Sequence, residues 1–405
     1  MKIFKLVTQA LASKTYYWGQ NSVSHLNPSD SSKWEKRLSY YCDFNWVDNI
    51  VLGFINNFPG DSFPGMNHAY HCWTTFQGTN LLNCPDIGLD IKYCQSRGKK
   101  IGISLGGAYG TYGFQNNNQA NQFAYTLWNL FFEGQSVLRP YGNAVLDFVD
   151  FNIESGSSIG YYELSKTLRS LMDNGQKSYF MTTAPQCVYP DKYIGPGNGF
   201  LLSTNDTNYI DNVFVQFYNN YCGLNNYPSG FNYNNWNDWS QSKNSSLSIG
   251  FPTHQSAAGS GFVSSTTLST ILRDTYLKYS NSFGGIMGWD IGFANIDNYG
   301  VDVHSILQNM VGTTPTPTSC FTATVTITPT TTATSTTTLS QSTTLFTTMT
   351  STQTTTLFLT STTDTVVITT TSTLISTTTT SLITTRFRQS TLTTTLTVTP
   401  TCTSV

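Results

Sequence analysis

Charged residues are scarce in this sequence: they make up 10% of its 405 residues, and the formal net charge is −2. The chain therefore has no basic field of the kind that draws in nucleic acid or an anionic membrane, and we expect no nucleic-acid partner. No apolar run approaches the roughly 20 residues of a membrane span. The sequence has no C-x-x-C pair and no histidine spacing that supports a zinc site, so we predict no metal site and no other cofactor.

The residue types change abruptly near residue 312. The first part of the chain is rich in aromatic residues, glycine and asparagine, and it has enough apolar residues for a barrel-sized core. Residues 313–405 are mostly threonine and serine, with one aspartate and two arginines as the only charged residues. Such a segment cannot offset the entropy lost on ordering. We therefore predict a folded domain over residues 14–312 and a disordered, O-glycosylated Thr/Ser-rich stalk over residues 313–405.

Cysteines and glycosylation sequons indicate export. Six of the eight cysteines lie within residues 42–222, and sequons are present at Asn205 and Asn244. Residues 1–13 carry a short apolar run interrupted by Lys5, which resembles a truncated signal peptide. We therefore expect a secreted monomer located outside the cell or in a cell wall.

Short β-rich runs recur at intervals that suit an intervening helix, which indicates parallel strands joined by crossovers. The eight runs cover residues 15–18, 49–54, 100–105, 145–153, 179–184, 213–218, 247–251 and 285–289. Helices are predicted over residues 118–132, 160–172 and 266–279. This order predicts an α/β fold, a closed (β/α)8 TIM barrel with its active site at the C-terminal strand ends. An open doubly wound sheet is the competing architecture, but no dinucleotide fingerprint follows the first strand.

Polar and apolar side chains alternate along the fourth predicted strand, which ends in the sequence DFVDFNIE over residues 147–154. Since successive side chains of a strand point to opposite faces, Asp150, Asn152 and Glu154 share one face. In a barrel the apolar face of each strand packs against the helices. These three side chains therefore point into the barrel interior, and each lies nearer to the open C-terminal end than the one before it. Inward acids are costly unless they are hydrogen-bonded or functional. An amphipathic strand with ordinary solvated acids is the alternative.

Residues 147–154 resemble the D-x-x-D-x-D-x-E signature of glycoside hydrolase family 18. Further segments match its class III chitinases of yeast and plant type in the same order: YWGQN at 17–21, SLGG at 104–107, APQC at 184–187, QFYNN at 216–220, and GGIM with the following WD at 284–290. The resemblance covers about residues 14–310. It implies a barrel that binds chitin or chitooligosaccharides and hydrolyses their internal β-1,4 N-acetylglucosamine linkages.

The resemblance also implies roles for individual residues. Glu154 would act as the acid/base of a substrate-assisted retaining reaction, in which the acetamido group of the sugar is the nucleophile. Tyr218 would hydrogen-bond that group, and Trp289 would form the floor under the sugar; ordinary barrel core is the alternative for both aromatic residues. The implied site consists of Glu154, Asn152, Asp150 and Tyr218 for catalysis, Tyr17, Gly106, Gly107, Ala184, Gln216, Asn219 and Trp289 for substrate binding, and Ser104 and Asp147 for support.

The family's cysteine pattern implies three disulfides. They would join Cys42 to Cys94, Cys72 to Cys84, and Cys187 to Cys222. Cys320 and Cys402 lie in the Thr/Ser-rich part, where they would be free or intermolecular. Zinc is the rival interpretation, but no ligand spacing in the sequence supports it.

Asn152 departs from the family, which has an aspartate at this position that orients the acetamido group. An amide can still hold the acetamido group, but it offers no negative charge to the oxazolinium ion that forms. Losing one preorganised electrostatic group typically costs roughly 100- to 1,000-fold in rate. The change also removes a neighbouring charge that would help to keep Glu154 protonated. We therefore expect slow turnover with sugar binding largely retained.

Phe148 is the second departure, because the family has glycine there. Strand parity places Phe148 inside the barrel, one layer below Asp150, where close packing leaves little room for a ring. On the neighbouring third strand, Gly102 lies on the same face as Ser104. The related chitinases carry a bulkier aliphatic residue at the position of Gly102. We therefore expect a volume exchange in which the Phe148 ring fills space vacated at Gly102.

Three classes of function fit these observations. An endo-acting chitinase slowed by Asn152 is the leading interpretation. The alternative is a lectin-like chitin-binding protein that retained the sugar-binding groove but has a weakened catalytic rate. A structural wall mannoprotein is the third, and it predicts no specific affinity for chitooligosaccharides.

Overall fold

The computed structural model describes residues 12–60 and 63–312, together with the segments 356–362, 365–376 and 388–398. The chain divides into two compact units, one ending at Thr314 and the other beginning at Pro315. Within the residues described, no helix is both long enough and apolar enough to cross a membrane.

Eight strands of the first unit run parallel around a closed barrel. They are β1 Ser13–Trp18, β2 Asn49–Phe58, β3 Lys100–Gly107, β4 Phe148–Ile153, β5 Phe180–Thr183, β6 Asn212–Gln216, β7 Ser246–Pro252 and β8 Phe283–Trp289. Each strand pairs in parallel with its neighbours in sequence, and β1 pairs with both β2 and β8. This pairing closes the barrel and confirms the predicted TIM-barrel fold.

Helices pack around this barrel. They are α1 Leu38–Tyr41, α2 Pro85–Ser96, α3 Asn117–Phe131, α4 Tyr161–Asp173, α5 Tyr233–Lys243, α6 Ser265–Tyr279, α7 Ile291–Ile296 and α8 Tyr299–Gly312. The start of α3 is fixed by Asn116, whose side chain accepts the N–H of Gln119, and Ser264 caps α6 in the same way. The three predicted helices match α3, α4 and α6. The described connection between β5 and β6 contains no helix, so the barrel departs from strict strand–helix alternation there.

The alternation of side chains along β4 divides the core into two layers. Val149, Phe151 and Ile153 join the large outer cluster between barrel and helices. Phe148 belongs instead to a small cluster inside the barrel, with Tyr17 among its members. The predicted face assignment of this strand is therefore confirmed. The strand itself begins at Phe148 rather than at residue 145 as predicted.

Phe148 and Gly102 are directly paired across β4 and β3. A Cβ atom built on Gly102 would lie 2.4 Å from two carbons of the Phe148 ring, well inside van der Waals contact. That ring also stacks on Phe180, with centroids 4.4 Å apart. The ring therefore occupies the space that a side chain at position 102 would need, as the volume-exchange hypothesis requires.

Gly102→Leu is expected to lower the free energy of unfolding by about 1–3 kcal/mol, because the interior has no room for both side chains. In a Phe148→Ala background the same Gly102→Leu change should be stabilising, since it then fills a cavity. Urea denaturation of the four forms measures both effects. Equal destabilisation by Gly102→Leu in both backgrounds would reject the exchange.

Three disulfides link loops and helices around the barrel, joining Cys42 to Cys94, Cys72 to Cys84, and Cys187 to Cys222. All three pairings are those that the family resemblance implies. Cys320 and Cys402 lie outside the described residues.

The N-terminal boundary differs by a few residues from the prediction. Ser13 pairs with Gly285, its hydroxyl donates to the Gly284 carbonyl, and Ala12 is buried. The segment predicted as a leader, residues 1–13, therefore overlaps the barrel at its last two residues. Residues 1–11 are outside the part of the chain described.

The described part of the second unit forms a three-stranded antiparallel sheet. Its strands are β9 Thr356–Thr362, β10 Thr365–Ser376 and β11 Arg388–Val398, with β10 in the middle. The sequence analysis predicted disorder for residues 313–405 and did not predict these paired strands. Threonine is β-branched and favours extended backbone, a local preference that an argument from apolar burial alone leaves out.

Candidate active site

Glu154 is the first residue after β4, at the C-terminal end of the barrel, and it is half-buried. Its backbone N–H donates to the hydroxyl oxygen of Tyr112 over 3.1 Å, and that hydroxyl donates to the Gly107 carbonyl over 2.6 Å. The Tyr112 hydroxyl therefore joins the ends of β3 and β4. It fixes the backbone from which the Glu154 carboxyl projects.

Asp150 lies one layer deeper and is fully buried. The hydroxyls of Tyr17 and Ser104 each donate to its Oδ2 over 2.6 Å, and the Thr182 hydroxyl donates to Oδ1 over 2.7 Å. Burial raises the pKa of Asp150, and these hydrogen bonds oppose the rise. The sequence analysis named Tyr17 and Ser104 but missed Thr182. Thr182 shares strand parity with Ala184, so the inward-facing pattern of β5 could have identified it.

Asn152 is buried between Asp150 and Glu154 along the same face of β4. Its Oδ1 accepts a hydrogen bond of 2.9 Å from Nε2 of Gln216, which also donates to the Ala184 carbonyl over 2.8 Å. The amide nitrogen of Asn152 hydrogen-bonds the Glu154 carboxyl, and an amide nitrogen has a second N–H to donate. Gln216, predicted to bind substrate, thus holds the Asn152 amide in one orientation.

The Glu154 carboxyl has a raised pKa. Burial is the largest cause, hydrogen bonds from Gln216 and Asn152 act against it, and the charge of Asp191 adds to the rise. Asp191 is itself buried, and its Oδ1 accepts the N–H groups of Tyr193 and Ile194 over 2.7 Å each. The sequence analysis did not identify Asp191, because the loop between β5 and β6 carries no pattern that marks it. A carboxyl that keeps its proton to higher pH is suited to general-acid chemistry.

Tyr218 follows β6 and is buried beside the two acids. Its pKa is raised well above the ordinary value, first by burial and then by the charges of Glu154 and Asp150. The phenol therefore stays protonated and remains a hydrogen-bond donor across the physiological range.

Trp289 ends β8 and forms an aromatic cluster with residues of β1 and β2. Its ring stacks on Phe54 with centroids 5.9 Å apart, and it meets Tyr17 edge to face at 5.5 Å. Trp289 is only partly buried, so the ring retains exposed surface. Flat apolar rings of this kind are suited to stacking against a sugar. The sequence analysis did not name Phe54.

Gly106 and Gly107 end β3 with positive φ angles of 102° and 88°, which only glycine adopts readily. A Cβ atom at Gly106 would lie 2.3 Å from the Asn152 carbonyl oxygen. The end of β3 can lie this close to β4 because glycine has no side chain. Ala184 is buried, and its N–H donates to the Phe151 carbonyl.

The side chains of two further predicted residues make structural contacts. The Oδ1 atom of Asn219 accepts the N–H groups of Gly259 and Ser260 over 2.8 and 3.2 Å, so its side chain holds a loop. Asp147 lies at the opposite end of β4, where it accepts the N–H of Ile101 over 2.9 Å and its Oδ1 lies 3.0 Å from Nζ of Lys177. It anchors the base of the barrel, in line with a supporting role.

The site thus gathers a carboxyl with a raised pKa, an oriented amide, a neutral phenol and an aromatic floor at one end of the barrel. Among the described residues, no group of three or more histidine, cysteine, aspartate or glutamate side chains could hold a metal ion. The donors and acceptors present are those of proton transfer and amide recognition. The fold and the site together define a barrel glycosidase architecture.

Comparisons with known proteins agree with this class. The family model "Glycosyl hydrolases family 18" matches residues 14–281. The chain therefore belongs to family 18, and within it to the class III type of yeasts and plants.

Two curated fungal relatives illustrate the similarity. Chitinase 1 of Candida albicans is 40% identical over 292 residues, covering 72% of this chain and 58% of the relative. The endochitinase of Saccharomyces cerevisiae is 41% identical over 304 residues, covering 73% of this chain and 49% of the relative. The chain therefore matches only about half of the length of these relatives.

The similar solved structures include one named a chitinase and others named inhibitor proteins. The ICChI chitinase of Ipomoea carnea superposes with a TM-score of 0.61 at 30% identity, covering 72% of this chain and 98% of that chain. The xylanase and alpha-amylase inhibitor protein XAIP-II of Scadoxus multiflorus superposes with a TM-score of 0.60 at 31% identity, covering 73% and 98%. Proteins named as inhibitors are therefore as similar to this chain as a protein named as a chitinase. Overall similarity does not distinguish the two, whereas the residues of the site can.

Proposed function

We propose that the barrel hydrolyses internal β-1,4 N-acetylglucosamine linkages of chitin, slowly, by a substrate-assisted mechanism that retains the anomeric configuration. The observation that carries this proposal is the half-buried Glu154 carboxyl, with its raised pKa, directly after Asn152 and Asp150 on one strand face. The names of the related fungal chitinases support the substrate class.

In the first step the protonated Glu154 carboxyl donates its proton to the glycosidic oxygen, and the bond from that oxygen to C1 breaks. The acetamido carbonyl oxygen of the same sugar attacks C1 and forms an oxazolinium ion. In the second step the Glu154 carboxylate takes a proton from water, which opens the ring at C1. Two displacements at one carbon give net retention.

The remaining groups orient the sugar. The Tyr218 phenol and the Asn152 amide are both donors available to the acetamido group. Trp289 would lie under the sugar ring, and Asp150 would fix Tyr17 beside it through their 2.6 Å hydrogen bond. Because Asn152 carries no charge, the oxazolinium ion would lack a facing anion, which slows the reaction.

We further propose that the protein is exported and acts in a cell wall or the extracellular space. Three disulfides support this location, because such bonds persist in oxidising compartments. The same compartment would give it access to chitin or chitooligosaccharides, its proposed partners.

Chitotetraose incubated with the purified protein tests the proposal. Proton NMR of the fresh products should show slow cleavage with the β anomer formed first, since the reaction retains configuration. Initial formation of the α anomer would contradict the substrate-assisted mechanism, because it requires a single displacement by water.

A lectin-like chitin-binding protein is the second candidate, and the neutral Asn152 favours it. It predicts calorimetric binding of chitotetraose without cleavage on prolonged incubation. Absence of both binding and cleavage would contradict the two candidates together and favour a structural wall protein.

A further inference from the structure

The Tyr112 hydroxyl lies between the ends of two barrel strands. Gly107, the last residue of β3, pairs with Ile153, the last residue of β4, so the strand pairing stops one residue before Glu154. Beyond it, the Glu154 N–H donates to the Tyr112 hydroxyl over 3.1 Å, and that hydroxyl donates to the Gly107 carbonyl over 2.6 Å. The hydroxyl thus takes the place of a direct bond between two backbone groups of the parallel pair.

The ring of Tyr112 is held by aromatic packing. Tyr112 belongs to the two-residue strand Thr111–Tyr112, which pairs with the end of β2, and it is buried. Its ring stacks on Phe58 with centroids 5.3 Å apart, and Phe58 stacks on Phe123 of α3 at 5.3 Å. A close-packed ring has little freedom to move. The position of the hydroxyl is therefore set by packing that does not depend on Glu154.

The segment that follows Glu154 also lies against Tyr112. A Cβ atom built on Gly156 would lie 2.9 Å from the Tyr112 carbonyl oxygen, and Gly156 has a φ of 79°. Burial raises the pKa of the Tyr112 phenol, and hydrogen bonds from Ser155 and from the Glu154 N–H act against that rise. The phenol keeps its proton, which it needs for the bond to the Gly107 carbonyl.

The same contacts lead from the acid to the aromatic floor. Gly107 has a φ of 88°, and a Cβ atom built on it would lie 3.1 Å from two carbons of the Phe54 ring. Phe54 in turn stacks on Trp289. Tyr112, Gly107, Phe54 and Trp289 therefore form one continuous series of contacts, which begins at the backbone of Glu154.

We propose that Tyr112 is a positioning residue whose hydroxyl sets the place of the Glu154 carboxyl relative to a sugar on Trp289. The inference rests on the proposed function of Glu154. A general acid must come within hydrogen-bond reach of the oxygen that it protonates. The backbone nitrogen of Glu154 is bonded to the same Cα that carries the side chain, so releasing its N–H displaces the carboxyl as well.

Tyr112→Phe removes the hydroxyl and keeps the stacked ring. We expect kcat/KM for chitotetraose to fall about 10- to 100-fold, because a general acid displaced by about an ångström protonates poorly. The loss should lie in kcat rather than in KM, since Trp289, Tyr218 and Asn152 still bind the sugar. Initial rates over a range of chitotetraose concentrations measure both constants.

A second substrate separates the position of the acid from the integrity of the sugar site. The 2,4-dinitrophenyl β-glycoside of diacetylchitobiose releases a stable anion that leaves without being protonated. Tyr112→Phe should therefore change its kcat/KM by less than about threefold. An equal fall for this glycoside and for chitotetraose would overturn the proposal, because damage to the sugar site slows both.

Tyr299→Phe is the matched control. The Tyr299 hydroxyl is also buried and donates to a backbone carbonyl, that of Val263, over 2.9 Å. Its loss should leave the ratio of the two kcat/KM values at the parental level. If Tyr112→Phe failed to fold while Tyr299→Phe folded, the Tyr112 hydroxyl would serve the fold rather than the acid, and the proposal would be wrong.

Hydrogen exchange of the Glu154 amide tests the contact without any substrate. In Tyr112→Phe this N–H loses its acceptor, so it should exchange at least about tenfold faster than in the parent protein and in Tyr299→Phe. Unchanged exchange would overturn the proposal. If the parent protein cleaves neither glycoside, the proposed function is contradicted, whereas the exchange rate still decides whether Tyr112 holds the backbone of Glu154.

Discussion

Asn152→Asp is expected to raise kcat on chitotetraose by about 100- to 1,000-fold. A carboxylate at this position would face the positive charge of the oxazolinium ion, which the neutral amide cannot stabilise. The local contacts favour the change, because Nε2 of Gln216 already donates to Oδ1 of Asn152 over 2.9 Å and would donate to a carboxylate in the same way. The measurement is the initial rate of chitotetraose hydrolysis at several pH values.

The same substitution should change the pH profile. A negative charge beside Glu154 raises the pKa of its carboxyl, in addition to the effects of burial and Asp191. The alkaline limb of kcat should therefore move to higher pH in Asn152→Asp. Asn152→Ala removes the amide without adding charge, so it serves as the control and should show no gain. An Asn152→Asp protein no faster than the parent would show that position 152 does not limit the rate.

Glu154→Gln is expected to lower kcat by about 100- to 10,000-fold, the range typical of a lost general acid. The amide is nearly isosteric with the carboxyl but cannot supply the proton that the leaving sugar oxygen needs. The loss is best measured in the Asn152→Asp background, where the starting rate is higher. Affinity for chitotetraose should change little, because Trp289, Tyr218 and Asn152 remain in place.

Glu163→Gln makes the same chemical change on α4 and is the matched control. Its rate should equal that of the parent protein. If Glu154→Gln hydrolysed chitotetraose at the parental rate, another group would have to protonate the leaving oxygen, and the proposed role of Glu154 would be wrong.

The barrel and its fourth strand could be predicted from the sequence because both depend on local periodicity. Alternation along residues 147–154 placed Asp150, Asn152 and Glu154 on one inward face, and the structure has them there. The contact between Phe148 and Gly102 was predicted from the alternation of side chains along the strands together with the family resemblance, in which the large and small residues are exchanged.

Other parts of the site depend on contacts between distant segments that no local pattern encodes. Asp191, which acts on the pKa of Glu154, lies in an irregular loop. The Glu35 carboxylate accepts the Gly19 N–H directly after β1, a contact between two loops that no local pattern marks. Asn219 stays a predicted substrate-binding residue, and the hydrogen bonds that its Oδ1 accepts from the 259–260 loop are a contact that the motif does not encode.

The crystal structure of Glu154→Gln with bound chitotetraose would test the central claim most directly. We predict a sugar over Trp289 whose acetamido group contacts both the Asn152 amide and the Tyr218 hydroxyl, with the scissile oxygen beside residue 154. A sugar bound away from Trp289, or an acetamido group pointing away from Asn152, would contradict a substrate-assisted site built on this strand.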